Sequence, residues 1–497
     1  MKKPWKFFII TLLIILGLFF VGILYLFFVP GSQLFNITYI NLHKTLKSSE
    51  FNSQSVTAVE INSTSYAVNV LNTSNENFYA VLDAKSFGFV KTKNKNAKLN
   101  AEYDELTKTL TFNIVEPKGL CTKGKSNLTV YVPAEKSFDL KINNKKSKVT
   151  TKLTSGSVSD LNYSSKSGSF EFEQGSVHGL IDLNLNKSSF SISEIVDCNV
   201  TDVKIRATSG KFNASKSNFN KVEVLKNSRA TININSCNDF EMNAPNAGGK
   251  INIKILTNTQ TTAGDTKIKF TEIHGEAIID LRKSGVANIE SLLSEDAMSI
   301  LSVAAGKIKI ENCNSRINAS VLESGTLVIN NAQKIINVYS SNGNVEINFA
   351  ENAKSYAQDN ASRVVYANIK NGNFKATGVE HVGKYVQDSD KQHNPYIYVT
   401  GTANVNIKMR NVLGNNAVYA EKGTVKFVIN AEESVKYILK TSCDTGSVRV
   451  NLSQTAQYNG YTTNEETPTY VNCHNSTNLL TISGKSSNIR VFDTNFA

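Results

Sequence analysis

Residues Ser302 to Phe349 read SVAAGKIKIENCNSRINASVLESGTLVINNAQKIINVYSSNGNVEINF, and the repeat inside them decides the fold. Gly306 and Gly325 are each followed by apolar residues at +2 and +4 (Ile308 and Ile310; Leu327 and Ile329) and by asparagine at +6 (Asn312, Asn331). A second alternating pair follows at +11 and +13, Ile317 with Ala319 and Ile336 with Val338. Gly343 restarts the pattern with Val345 and Ile347, so successive starts lie 19 and 18 residues apart. Alternation with a period of two is a strand signal, and a glycine at each start suits a corner with positive φ. Self-similarity at about twenty residues implies a stacked array. The expected fold is all-β: a parallel β-helix-like β-solenoid with rungs of about 20 residues.

Glycine-led starts recur at Gly168, Gly210, Gly249 and Gly285 before this stretch, and at Gly372, Gly401, Gly423 and Gly446 after it. The steps from Gly343 to Gly372 and on to Gly401 are 29 residues each. Each is one rung plus a loop of about ten residues, and such insertions project from one edge of a solenoid and often bind. Residues 55–154 carry longer alternating runs, VTAVEINSTSYAVNVLN among them, and are expected to form an N-terminal antiparallel cap. Residues 155–497 then form the solenoid, with insertions near 350–400 and 455–475.

Phe7 to Val29 contain no charged residue. At ~1.5 Å per residue they make a helix of roughly 35 Å, enough to cross a bilayer. Lys2, Lys3 and Lys6 precede it, which puts residues 1–6 in the cytoplasm and everything after a 30–54 connector outside the plasma membrane. The apolar run exceeds an ordinary signal-peptide core and Val29-Pro30-Gly31 is a poor cleavage site, so an uncleaved single-pass signal-anchor is expected. No lipobox cysteine follows it, and NIRVFDTNFA at the other end carries no sorting motif.

The net charge of +12 favours anionic material outside the cell. It is spread along the chain, however, and lysines solvating the turns account for it equally. No nucleic-acid-binding signature with interleaved aromatics accompanies it. Six cysteines outside a membrane raise the question of disulfides. Cys198, Cys237 and Cys313 are 39 and 76 residues apart, near two and four rungs. Positions two rungs apart lie roughly 9–10 Å from each other, beyond the ~7 Å a disulfide spans. These three, with Cys443 and Cys473, read as small buried residues at equivalent turn-side positions, mostly free thiols. No CxxC pair or histidine cluster suggests a metal, and no cofactor motif occurs.

Several segments resemble a known family: Val59-Glu60-Ile61-Asn62, LNAEYDELTKTLTFNI, LTVYVPAEKSFDLKI, then SGSV at 155–158 and SGSF at 167–170. Together they are similar to the bacterial putative-adhesin domain of unknown function, found behind membrane anchors in Gram-positive envelope proteins. In that family an L-x-V-x-V-P strand leads into glycine-started rungs, as Leu128 to Pro133 does here. The resemblance covers roughly Ser55 to Asn235. It implies an extracytoplasmic β-solenoid with an adhesive or envelope-stress role, and it brings no catalytic residues.

Candidate ligand contacts gather in the second insertion, VEHVGKYVQDSDKQHNPYIYV, as His381, Tyr385, Asp388, Asp390, His393 and Tyr396. Imidazoles, carboxylates and phenols in one loop could hold a sugar or a cation. A β-helix enzyme acting on polysaccharide would instead want paired acids raised from the strands themselves. A plain polar loop explains the composition without chemistry. The last insertion offers Tyr458, Tyr461 and Tyr470 near Glu465 and Glu466. Lys141, Lys145, Lys146, Lys148 and Lys152 form the densest basic run, suited to an anionic wall polymer or to guarding an edge strand. The sequence thus points to a non-catalytic, membrane-anchored surface adhesin-like or scaffold protein contacting a wall polymer, glycan or surface protein. A polysaccharide-acting β-helix enzyme and an envelope-stress sensor are the alternatives.

Overall fold

An alternating strand buries every second side chain, and a chain of such strands closes a core only when each rung covers the next. The computed structural model describes residues 3–28, 35–46, 55–91, 97–116, 119–123, 126–294, 297–382, 397–430, 437–452, 457–458, 469–471 and 477–493. Two compact units divide it, Met1–Val203 and Lys204–Ala497.

In the first unit the apolar run forms one helix, Lys3–Phe28. Its segment Trp5–Tyr25 is long and apolar enough to cross a membrane. The stretch read as a connector contains a strand, Phe35–Leu46, paired antiparallel with Tyr79–Lys91. Tyr79–Lys91 also pairs antiparallel with Gly119–Lys123 and Asn127–Pro133, and Lys98–Asp104 forms a hairpin with Thr109–Val115. The expected antiparallel character is therefore present, but parallel rungs begin much earlier than Ser155. Ala58–Ser63 lies parallel between Thr109–Val115 and Ser137–Asn144. Ala67–Thr73 lies parallel between Asn127–Pro133 and Lys148–Lys152. Alternation looks the same in either strand direction, so the sequence alone did not separate the two. The inward residues Val59, Ile61, Val68, Val70, Phe112 and Leu140 are fully buried.

The second unit contains the deciding stretch, and its register follows the repeat residue by residue. Ile308 pairs with Leu327 and Ile310 with Ile329, and these continue to Val345 and Ile347. On the other face Ile317 pairs with Ile336 and Ala319 with Val338. All of these pairings are parallel. Outside the core, like side chains bond from rung to rung: Asn331 Nδ2 donates to Asn312 Oδ1 at 3.0 Å, and Asn344, Asn373 and Asn404 form a ladder with steps of 2.8 and 3.1 Å. Gly343 pairs with Gly372, so residues 350–363 leave the stack as the first insertion.

The glycines at Gly306, Gly325 and Gly343 depart from expectation, because the left-handed glycines lie elsewhere, at Gly372 and Gly423 among others. Close approach explains them. A Cβ on Gly306 would lie 2.1 Å from the Gly285 carbonyl oxygen, and one on Gly343 would lie 2.6 Å from that of Gly325. The corner of each rung rests on the carbonyl of the rung before it.

Two of the thiols, Cys237 and Cys313, stand where the spacing put them. Cys237 pairs in turn with Leu256, Ile273, Leu292 and then Cys313, four steps along one buried column. Cys198, Cys237 and Cys313 are buried and free, and Cys443 is free and half-buried. Cys473 lies outside the described residues.

Candidate functional site

The first insertion is held by one arginine. Residues 350–362 leave the ladder, so their carbonyls need partners other than a neighbouring strand. Arg363, 1% exposed and with φ of 55°, supplies them. Its guanidinium donates to the carbonyls of Ala350 (2.7 Å), Glu351 (2.7 Å), Ala353 (3.2 Å) and Gly378 (3.0 Å). Glu380, equally buried, balances the charge at 3.6 Å from Arg363 Nε. Its other oxygen accepts from Ser355 Oγ and Tyr356 N. Five donors on a planar fork suit this cluster of carbonyls, where a lysine would reach fewer.

His381 follows directly. Its ring stacks on Tyr356 with centroids 4.3 Å apart, and Nδ1 bonds the Leu413 carbonyl at 2.8 Å. That bond fixes Nδ1 as the protonated nitrogen. Burial lowers the imidazole pKa, and the Leu413 carbonyl only partly opposes this. The geometry is that of a neutral histidine packed at the base of the second insertion. Tyr385, Asp388, Asp390, His393 and Tyr396 lie outside the described residues, as do Tyr461, Glu465, Glu466 and the side chains of Tyr458 and Tyr470.

The five lysines of the basic run are all exposed. Lys141 pairs with Glu60 at 3.0 Å and Lys148 with Glu171 at 2.8 Å, each across to a neighbouring rung. The same cross-rung pairing recurs at Lys375 with Glu346 and Lys269 with Glu290. Much of the positive charge is thereby matched locally, and pairs this exposed contribute little stability.

A concavity of about 820 Å³ opens beside the Arg363-held loop. Its walls carry the side-chain amides of Asn312, Asn314, Asn331, Gln333 and Asn352. It follows the rung corners, crossing from Leu293 past Asn314 and Gln333 to Ala350, each the residue just after its strand. Asn331 donates to Asn312, and Gln333 Nε2 donates to Asn352 Oδ1 at 3.3 Å. Glu351 is the one charged residue on its lining, and the Cys313 thiol beneath is pushed up to about 12 by burial. A second cleft of about 800 Å³ shares Phe349 and Glu351 but is cationic, with Lys408 and Arg410. Among the described residues no group of three or more His, Cys, Asp or Glu could hold a metal ion. Sequence reasoning missed this trough. The signal available was the amide-x-amide recurrence at the ends of successive strands, NCN at 312–314 and NAQ at 331–333.

Residues 56–348 match the Toastrack domain, DUF4097, well over half of the chain. The chain belongs to the Toastrack family. The Toastrack match takes in the trough from Leu293 to Gln333 and stops before Phe349, so the Arg363-held wall lies beyond it. No curated protein matches the sequence. Among solved structures, a putative cell adhesion protein from Clostridium sporogenes aligns over 92% of this chain and 100% of its own, at 8% identity and a TM-score of 0.14.

Proposed function

We propose that this Toastrack protein is a non-catalytic, adhesin-like surface module, held by its N-terminal helix with the N-terminus in the cytoplasm and the stack outside. In this reading residues 1–6 are the tail, 7–29 the anchor, 30–54 a connector that includes the Phe35–Leu46 strand, 55–154 a cap in which parallel rungs already begin, and 155–497 the rest of the solenoid that presents contact surfaces. The lysines before the apolar helix support the orientation. The observation that carries the binding role is the amide-lined trough. It offers many neutral donors and acceptors, while its one thiol is held protonated by burial and its one carboxylate has no acidic partner on the lining. Such a surface can hold a polymer but supplies neither nucleophile nor general acid–base pair.

The test is retention. Proteoliposomes carrying the full chain are incubated with immobilised wall polymers, host glycans and surface proteins, and bound material and released products are scored together. Retention on at least one surface without product is expected. Release of oligosaccharide, or no retention on any surface, overturns the proposal.

A further inference from the structure

We infer that the trough along the corners at Leu293, Asn314, Gln333 and Ala350 is a binding site for a neutral, hydroxyl-rich glycan lying along the stack axis. This rests on the surface-binding reading above and names its ligand class and site.

Four observations lead there. First, the main chain along the trough is already engaged: Asn314 N donates to Leu292 O (2.8 Å), Gln333 N to Cys313 O (2.8 Å) and Ala350 N to Ala332 O (3.0 Å). A peptide adding itself as a strand would find no paired row of free backbone groups, so recognition falls to side-chain amides. Second, a side-chain amide both donates and accepts, with capacity for four hydrogen bonds; Asn331 donates to Asn312, Asn312 to the Glu290 carbonyl and Gln333 to Asn352, and these bonds use only part of what Asn331, Gln333 and Asn352 offer. Hydroxyl pairs on a sugar ring need both roles from one partner. A phosphate or carboxylate needs donors alone and would face Glu351, while a cation would meet a single carboxylate.

Third, the dimensions suit it. Three rung steps of about 4.8 Å give roughly 14 Å, room for a few sugar rings in an extended chain. The volume of about 820 Å³ lies within the range of ligand sites. Leu293, 38% exposed, offers an apolar patch for the C–H face of a ring. Fourth, the wall is preorganised, because the carbonyls of Ala350, Glu351 and Ala353 are all fixed by Arg363. A wall already rigid loses little entropy on binding.

The experiment uses the full chain in a detergent without a sugar headgroup. It is titrated calorimetrically with neutral hexasaccharides of β-linked N-acetylglucosamine, β-linked glucose and mannose, at low and high salt. Binding of at least one is expected, with affinity unchanged by salt and weakened at least tenfold in Gln333→Ala and Asn352→Ala. Asn352 is exposed and Gln333 half-buried, with one hydrogen bond of 3.3 Å between them, so the variants should keep a denaturation midpoint close to that of the wild type. Asn373→Ala, in an amide ladder on the open sheet face, should bind as the wild type does. Absence of binding by all three, binding that survives both trough substitutions, or binding that falls with salt overturns the inference. If liposome retention persists while the oligosaccharides fail to bind, the surface-binding reading stands and the glycan assignment falls. If retention is lost as well, both fall.

Discussion

Asp359 shows how one residue ties the first insertion to the stack. Its carboxylate accepts from Lys334 Nζ at 2.9 Å, Ala361 N at 3.0 Å and Ser362 Oγ at 2.9 Å. Burial alone would raise its pKa, but these three donors outweigh it and hold the group down at about 2, against an ordinary 3.8. A carboxyl depressed in the folded state stabilises the fold above its unfolded pKa and loses that effect as pH falls toward the folded value. The contribution should therefore be complete above pH 4 and vanish between pH 4 and 2. It amounts to about 1 kcal/mol once solvent screening is allowed for. Urea midpoints measured from pH 5 down to 2 should fall less steeply in Asp359→Asn than in the wild type, with the variant already weaker at pH 5. Parallel curves would show that Asp359 does not fasten the loop.

At the scale of the rung, glycine is a spacing device. A Cβ at position 306 would meet a backbone oxygen that cannot turn aside, so Gly306→Ala should lower stability by about 1–3 kcal/mol through overpacking. Asn342→Ala, exposed at a comparable corner, should change the urea midpoint little. Equal midpoints for the two would mean that the corners can relax. The rungs were legible because their signal is local and repeated: Gly306, Ile308 and Ile310 announce the same geometry as Gly325, Leu327 and Ile329. The 29-residue step likewise marked where residues 350–363 leave the stack. Arg363 was not legible. In the run ASRVV it reads as an ordinary charge before a strand, and only the path of the loop makes four carbonyls converge on it. The trough was hidden for a related reason, since its lining comes from the last residues of each strand and those just after it, where alternation stops.

For the whole molecule, buried thiols distributed along the chain give an internal gauge of integrity. Cys198 belongs to the first unit, and Cys237 and Cys313 to the second. Burial pushes all three up to about 12, so the thiolate that reacts with alkylating reagents is scarce at pH 8. Native protein at pH 8 should leave these three unmodified by iodoacetamide on peptide mass spectrometry, and denaturant should expose them. Rapid native labelling at Cys313 would contradict the packing of the column that runs from Cys237.

The in-register pairing of Ile308 with Leu327 and Val345 also shapes how such a gene can change. Losing one codon inside a strand would turn every later inward side chain of that strand outward, whereas losing or duplicating a whole 19-residue unit returns each corner to an equivalent neighbour. Length variation among descendants of this chain should accordingly come in whole rungs or at the insertions, and single-residue gaps should fall between strands.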